Sequence, residues 1–354
     1  MNKYRRCVAC LLMLLLACRL FTGCGGYMKD NGKPNIVCTI YPEYEWLLKV
    51  LGDEADNYNI RLLLDGSTEV HSYQPTAADI AAISACDLLI YVGGEGDKWI
   101  EDVLENKTNK NMKIIKLLDC LGERALEEEV VEGMQEVLFG HDHGDEKSDA
   151  DTHEHTHDES CGHDVENTDH HKHEGVYDEH VWLSLKNARI FVEAIEECVS
   201  ELWPEKATEF SNNAKTYIES IDALDGEYTE LVEEADLNTL LFADRFPFRY
   251  LTEDYGLKYY AAFSGCSADA EASFETVVFL AERVKAENIP TVLILESSDE
   301  TLAETVISTA DSKEIKILVL DSMQSDTGEW KEQGFDYLEI MESNLEILKQ
   351  ALGE

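Results

Sequence analysis

The amino-acid sequence predicts an α/β protein with two lobes, each built on a parallel sheet, joined by a long helix. Three observations support this fold class. Short aliphatic runs alternate with helical patterns early in the chain, and the same alternation returns after residue 237. Between the two lies a stretch, residues 184–236, with apolar residues at helical spacing. Repeated β-α alternation is typical of parallel sheets covered by helices, and such sheets bind ligands at the carboxyl ends of their strands.

The N-terminal segment, residues 1–23, resembles a bacterial lipoprotein signal peptide. A basic start is followed by an apolar run, which Arg19 cuts short of the roughly 20 apolar residues that a membrane-spanning helix needs. We expect acylation at Cys24 and a tether over residues 24–34. Cys18 is the alternative attachment residue, and an uncleaved signal anchor or a buried N-terminal helix is the alternative structure.

The first lobe is expected over residues 35–183. β-branched and aliphatic runs predict its strands, and amphipathic patterns predict its helices. The strands are expected at Asn35–Thr39, Tyr58–Leu63, Asp87–Tyr91 and Lys113–Leu118, and the helices near Tyr41–Leu51, Thr76–Ala85 and Trp99–Asn106.

An insert at residues 141–174 interrupts this lobe. It holds nine of the 11 histidines and has almost no aliphatic residues, so it cannot pack a core and is expected to be a disordered loop. The histidines and carboxylates predict loose capture of Zn²⁺ at several weak sites, and a solvated insert without a metal role is the alternative. The sequence His153–His157 matches the H-E-x-x-H metallopeptidase pattern but lacks the helix that this motif requires. The histidines of the insert are His141, His143, His153, His155, His157, His163, His170, His171 and His173.

The connecting helices are expected over residues 184–236, with a break near Pro204. Apolar residues from Phe210 to Ala235 alternate at spacings of four and three, which predicts a long helix packed along both lobes. A coiled-coil dimer is the alternative.

The second lobe is expected over residues 237–354, with strands at Thr239–Ala243, Lys258–Phe263, Thr291–Glu296 and Ile315–Leu320 and a last helix that ends near Leu352.

Charge and motifs narrow the function classes. The 354 residues carry 73 acidic and 29 basic side chains, a formal charge of −44, which repels nucleic acid and concentrates cations. Neither a nucleophile-elbow pattern nor a P-loop is present, so the sequence does not predict an enzyme. Six cysteines follow Cys24 without a CxxC pair, and their spacing selects no disulfide pairing.

Two histidines stand apart from the insert. His71 precedes a predicted helix and follows a predicted strand, and His180 lies between the insert and the connecting helices. These are positions at which parallel-sheet lobes bind ligands, although a single histidine in such a place is more often structural.

Several motifs together resemble the cluster A-I (cluster 9) substrate-binding proteins of zinc and manganese ABC importers, the ZnuA-like family. They are Thr39-Ile40-Tyr41-Pro42, Glu69-x-His71-x-Tyr73-x-Pro75-Thr76, the histidine-rich insert, His180-Val181-Trp182-Leu183, Phe248-x-Tyr250-Leu251 and Leu320-Asp321-Ser322. The resemblance covers residues 35–354. It implies the helical-backbone type of metal receptor, in which two pseudo-symmetric α/β lobes joined by a long rigid helix hold one metal ion in the cleft.

The resemblance implies that His71, His180 and Asp321 are metal ligands. The remaining family position, usually His or Glu, aligns with Arg245, which is always protonated and offers no lone pair. Three interpretations remain open. Water completes the site, a nearby carboxylate (Asp244, Glu296 or Glu69) replaces the missing ligand, or Arg245 has ended tight binding, for instance by pairing with Asp321.

The sequence therefore predicts a monomeric binding protein, lipid-anchored on the extracytoplasmic face of a bacterial membrane, that delivers Zn²⁺ to an ABC permease and its ATPase. Two imidazoles and a carboxylate suit Zn²⁺, and Mn²⁺ is the alternative cargo. The rival functions are an exported zinc hydrolase and a lipoprotein adhesin or zinc store.

Overall fold

A computed structural model of the chain describes residues 31–65, 69–135, 176–266, 271–312, 314–324 and 335–353. These residues form two four-stranded parallel sheets with helices, which confirms the predicted fold class. The predicted signal peptide, Cys24 and the histidine-rich insert all lie outside the described residues. No helix within the described ranges is long and apolar enough to span a membrane.

The first sheet has the strand order β2-β1-β3-β4. Its strands are β1 (Asn35–Cys38), β2 (Asn59–Leu62), β3 (Leu88–Tyr91) and β4 (Lys113–Lys116), and its helices are α1 (Tyr41–Leu51), α2 (Ala77–Ala85), α3 (Trp99–Glu105) and α4 (Leu117–Leu121). Short 3₁₀ turns lie at Gly52–Asn57, Val70–Ser72 and Gly122–Arg124. The strand β4 ends before the predicted Leu118, because Leu117 and Leu118 bury their side chains from the first turn of α4.

Two helices connect the lobes. A 3₁₀ turn at Val181–Leu183 leads into α5 (Leu185–Leu202), and α6 (Ala207–Glu234) follows the break around Pro204. The 28 residues of α6 span about 42 Å at 1.5 Å per residue. Its apolar seam from Phe210 to Leu231 is buried within the chain, chiefly against α5 and α1. The seam is therefore not available for the alternative of a coiled-coil dimer.

The second sheet repeats the first, with the strand order β6-β5-β7-β8. Its strands are β5 (Thr239–Phe246), β6 (Lys258–Ser264), β7 (Thr291–Leu295) and β8 (Lys316–Leu320), and its helices are α7 (Arg249–Tyr255), α8 (Phe274–Ala286), α9 (Thr301–Thr309) and α10 (Tyr337–Leu352). All strand pairs are parallel. The carboxyl ends of the strands in each sheet therefore lie along one edge.

Loops from those edges meet between the two sheets. The Val70 N–H donates to the Gln324 carbonyl at 3.2 Å, which joins the turn after β2 to the loop after β8. The Trp182 indole Nε1–H donates to the Ser322 carbonyl at 2.9 Å. These bonds hold residues from distant parts of the sequence around one cleft.

Candidate metal centre

His71 and His180 meet in this cleft. His71 lies on the 3₁₀ turn after β2, and His180 immediately precedes the turn at Val181–Leu183. Their Nε2 atoms are 3.2 Å apart. His180 is fully buried. The structure thus brings together the two histidines that stand apart in the sequence, and their role as ligands remains a prediction.

A carboxylate holds the Nδ1 atom of each histidine. His71 Nδ1 lies 2.9 Å from Glu179 Oε1, and His180 Nδ1 lies 2.9 Å from Asp178 Oδ1. In the tautomer that carries its proton on Nδ1, each ring donates to its carboxylate and keeps the Nε2 lone pair for a metal ion. Metal-binding histidines characteristically have such an outer carboxylate, which fixes the tautomer and the ring orientation. Neither Asp178 nor Glu179 was among the predicted site residues, although they directly precede His180 in the sequence.

The separation of the two Nε2 atoms suits a single metal ion. With Zn–N distances of about 2.05 Å, it corresponds to an N–Zn–N angle of about 103°, close to tetrahedral. Two unprotonated nitrogens at this distance would repel each other. A proton shared between the rings, or a metal ion bound by both, would remove this repulsion.

The electrostatics of the site also favour a cation. Burial alone would raise the pKa of Glu179, but the hydrogen bond and charge of His71, with smaller effects of His180 and the Gly96 N–H, lower it to about 2. Burial disfavours the charged form of His180, but the carboxylates of Asp178, Glu179 and Glu128 together outweigh this effect and raise the pKa of that imidazole. The centre thus combines carboxylates with imidazoles that can bind a proton or a metal.

Glycines make room for these groups. A Cβ atom at Gly94 would lie 2.1 Å from Glu179 Oε2, and the Gly96 N–H donates to the same oxygen at 3.0 Å. A Cβ atom at Gly265 would lie 2.7 Å from His180 Cε1. The glycine-rich loop after β3, which has no phosphate-binding spacing, therefore accommodates the carboxylate that orients His71.

Cys266 is a third group with metal-binding chemistry in this cleft. One nitrogen of His71, one of His180 and Sγ of Cys266 all lie within 4.8 Å of one another. Cys266 follows the end of β6 by two residues, and its Sγ lies 3.5 Å from Glu179 Oε1. Cys266 was not among the predicted site residues. Its place just after a strand was the available signal, but the cysteine spacing, which includes no CxxC pair, indicated no metal site.

Asp321 directly follows β8, as predicted. Its Oδ1 atom accepts a hydrogen bond from the Met323 N–H at 2.8 Å. Among the described residues, the close group of potential ligands comprises His71, His180 and Cys266, without Asp321. Instead, Gln324 Oε1 lies 2.9 Å from His71 Nε2. The role of Asp321 as a ligand remains a prediction.

The other predicted residues have defined partners. The Arg245 guanidinium forms an ion pair with Glu69. Asp244 accepts from the Arg245 N–H at 2.8 Å and from the N–H of the last residue of β7 at 2.9 Å. Glu296 accepts from the N–H and the hydroxyl of Ser322, both at 2.9 Å. In this conformation all three alternative carboxylates make other interactions, and their role as replacement ligands also remains a prediction.

The fold and the site define a class: two-lobed α/β proteins with a candidate metal centre between the lobes. The family comparison agrees. A family model described as "ZnuA: Zinc-uptake complex component A periplasmic" matches residues 36–351. The chain belongs to this ZnuA family, as its motifs predict.

Individual relatives support the assignment. The zinc-binding lipoprotein AdcA of Streptococcus pneumoniae is 35% identical over 340 residues, an alignment that covers 96% of this chain and 60% of AdcA. This chain therefore spans less than two thirds of that relative. The high-affinity zinc uptake system protein ZnuA of Bacillus subtilis is 26% identical, with 98% of this chain and 96% of ZnuA aligned.

A solved structure extends the likeness to three dimensions. The Zn(II)-bound ZnuA-like domain of Streptococcus pneumoniae AdcA superimposes with a TM-score of 0.65 at 31% sequence identity. The superposition covers 91% of this chain and 100% of that domain.

Proposed function

We propose that this chain is the extracytoplasmic binding protein of an ABC importer, which captures Zn²⁺ between its lobes and delivers it to a membrane permease served by an ATPase. The observation that carries the proposal is the His71–His180 pair. Its Nε2 atoms converge at 3.2 Å while carboxylates hold both Nδ1 atoms. This arrangement supports a metal-binding pair over two structural histidines, because metal-binding histidines characteristically have such an outer carboxylate.

The donor chemistry supports zinc as the cargo. Imidazole suits Zn²⁺, whereas Mn²⁺ favours sites with more oxygen ligands. Relatives of this chain are named a zinc-binding lipoprotein and a zinc uptake system protein. Asp321, which directly follows β8, is the proposed carboxylate ligand.

The rest of the proposal concerns segments beyond the described residues. The histidine-rich insert 141–174 would collect zinc, and acylation of Cys24 would anchor the chain to the membrane. Metabolic labelling with a radioactive fatty acid tests the anchor. Label is expected in the natural chain and absent from Cys24→Ser.

The decisive experiment separates the cleft from the insert. Zinc is titrated against a competing chelator in the full chain, in a deletion of residues 141–174, and in the double variant His71→Ala with His180→Ala. One tightly bound ion should survive the deletion and disappear from the double variant. A double alanine variant of His153 and His155 is the matched control, and it should keep that ion.

Other outcomes would replace the proposal. Loss of nearly all tight zinc on deletion of the insert would indicate a passive zinc store or an adhesin. A zinc-dependent hydrolytic activity abolished by His71→Ala would indicate an enzyme. Tighter binding of Mn²⁺ than of Zn²⁺ in the same titration would make manganese the cargo.

A further inference from the structure

We propose that Cys266 is a metal ligand, so that its thiolate and the Nε2 atoms of His71 and His180 form a site with two nitrogens and one sulfur. This inference rests on the proposed function, because it concerns the same cleft. It goes further by assigning a ligand type, sulfur, that the motifs of this chain do not predict.

The geometry allows one ion to reach all three groups. Tetrahedral zinc with Zn–S of about 2.3 Å and Zn–N of about 2.05 Å requires S···N distances of about 3.6 Å. Cys266 Sγ and one ring nitrogen of each histidine lie within 4.8 Å of one another. Side-chain shifts on the order of 1 Å would therefore bring the thiol to the distance that zinc requires.

The charges around Cys266 favour a bound cation. Its Sγ atom lies 3.5 Å from Glu179 Oε1, the oxygen that also faces His71 Nδ1 at 2.9 Å. A dication at the sulfur offsets this negative charge, since a coordinating thiol is deprotonated outright. In the binding step the S–H bond breaks, the proton passes to water, and the sulfur lone pair binds the ion.

The position of Arg245 explains why a ligand would come from the segment that follows β6. Its guanidinium cannot coordinate a metal and forms an ion pair with Glu69. Arg245 lies near the end of β5, where Phe246 pairs with Ser264 of the neighbouring strand β6. Cys266 follows Ser264 by two residues. The thiol thus approaches the histidines from the strand beside the one that carries the arginine.

A thiolate ligand would affect which metal ion the site prefers. Thiolate ligands suit Zn²⁺ and other soft or borderline ions, whereas Mn²⁺ prefers carboxylate, carbonyl and water. A site with Cys266 would therefore discriminate against Mn²⁺ more strongly than one in which an aspartate replaces the thiol.

Cobalt(II) provides a direct test, because a cobalt–thiolate bond produces a charge-transfer absorption band in the near ultraviolet. The full chain is titrated with Co²⁺, alongside Cys266→Ser. Cys161→Ser, which removes the cysteine of the insert, and Cys120→Ser, which changes another partly buried cysteine, are the matched controls. The band should appear in the natural chain and both controls and disappear from Cys266→Ser.

Zinc competition measures the effect on affinity. Cys266→Ser should bind zinc at least tenfold more weakly, since loss of an outer-shell partner alone typically costs 10- to 100-fold. Cys266→Asp should lose the band and narrow the preference for Zn²⁺ over Mn²⁺. Far-ultraviolet circular dichroism checks that the variants are folded. Alkylation of the natural chain, mapped by mass spectrometry, needs no variant and should show that zinc protects Cys266.

The outcomes separate this inference from the proposed function. A band that persists in Cys266→Ser, or alkylation of Cys266 that zinc does not slow, overturns the thiolate ligand. If the His71→Ala, His180→Ala variant still loses the tight ion in that case, the proposed function stands. If that variant keeps the ion, the proposed function fails as well.

Discussion

Replacing Gly265 by alanine should weaken zinc binding while the protein remains folded. Gly265 lies between the end of β6 and Cys266, and the ring of His180 packs against it. A Cβ atom there would lie 2.7 Å from His180 Cε1, 3.0 Å from His180 Nδ1 and 2.9 Å from the Phe246 carbonyl oxygen. Because the carbonyl belongs to β5, the imidazole or the turn at Gly265 must give way.

The size of the displacement follows from these distances. Ordinary contact begins at 3.4 Å, so the ring and the new methyl group must separate by about 0.7 Å, the difference from the 2.7 Å approach. Metal–ligand distances tolerate only about 0.2 Å. His180 cannot turn aside cheaply, since it is fully buried and bonded to Asp178. We expect zinc affinity to fall at least tenfold, or about 1.4 kcal/mol.

The assay is zinc titration against a chelator, with circular dichroism to confirm folding. Gly226→Ala is the matched control, because a Cβ atom there meets nothing within 4 Å and the residue lies inside helix α6. It should leave zinc affinity unchanged and stabilise the chain by up to about 1 kcal/mol, the difference in helix propensity between glycine and alanine. Wild-type affinity in a folded Gly265→Ala chain would refute the proposed position of His180 at the metal.

Two further predictions concern the core. Burial, aided by the charge of Asp97, raises the pKa of Glu43 from 4.5 to about 8. The contribution of the protonated Glu43 side chain to stability is therefore full below pH 4.5 and is lost as the pH rises to about 8. Between pH 5 and pH 8 the natural chain should lose roughly 3–4 kcal/mol of unfolding free energy through Glu43, at about 1.4 kcal/mol per pH unit. Urea denaturation at these two pH values should show the loss in the natural chain and not in Glu43→Gln. The buried Tyr228 hydroxyl donates to the Met341 carbonyl at 2.6 Å, so Tyr228→Phe should lower the free energy of unfolding by about 1–2 kcal/mol.

Each of these two predictions has a result that would contradict it. Parallel stability curves for the natural chain and Glu43→Gln across this pH range would show that Glu43 is ionised in the folded state. Unchanged stability of Tyr228→Phe would mean that the bond between α6 and α10 contributes nothing net to holding the last helix in place.

Most secondary structure could be predicted, because local patterns decide it. Helix α1 forms at Tyr41–Leu51, the range expected from its apolar spacing, and the seam of α6 from Phe210 to Leu231 is buried as the heptad pattern requires. The ends of the strands are harder to predict from local patterns. Leu117 and Leu118 continue the apolar run of β4, yet an apolar pair can be buried from a helix as well as from a strand.

Part of the candidate site could also be predicted from the sequence, and part could not. His71 and His180 were identified by their isolation and by motifs, and Asp321 by its place after a strand. Cys266, Glu179 and Gln324 were not, because their relevance depends on contacts between segments far apart in the chain. The ion pair of Arg245 with Glu69 belongs to the same group, since the two residues are 176 positions apart.

By itself, the sequence determined the fold class, the family, and the two histidines that distinguish the site from the histidine-rich insert. These follow from local periodicity and from motifs, which are properties of short segments. Only the tertiary structure decided that the Nε2 atoms of His71 and His180 face each other, that carboxylates hold the opposite nitrogens, and that a cysteine from the second lobe lies beside them. The physical reason is that coordination depends on distances of a few ångströms between atoms, and only packing of the two sheets against their connecting helices sets those distances.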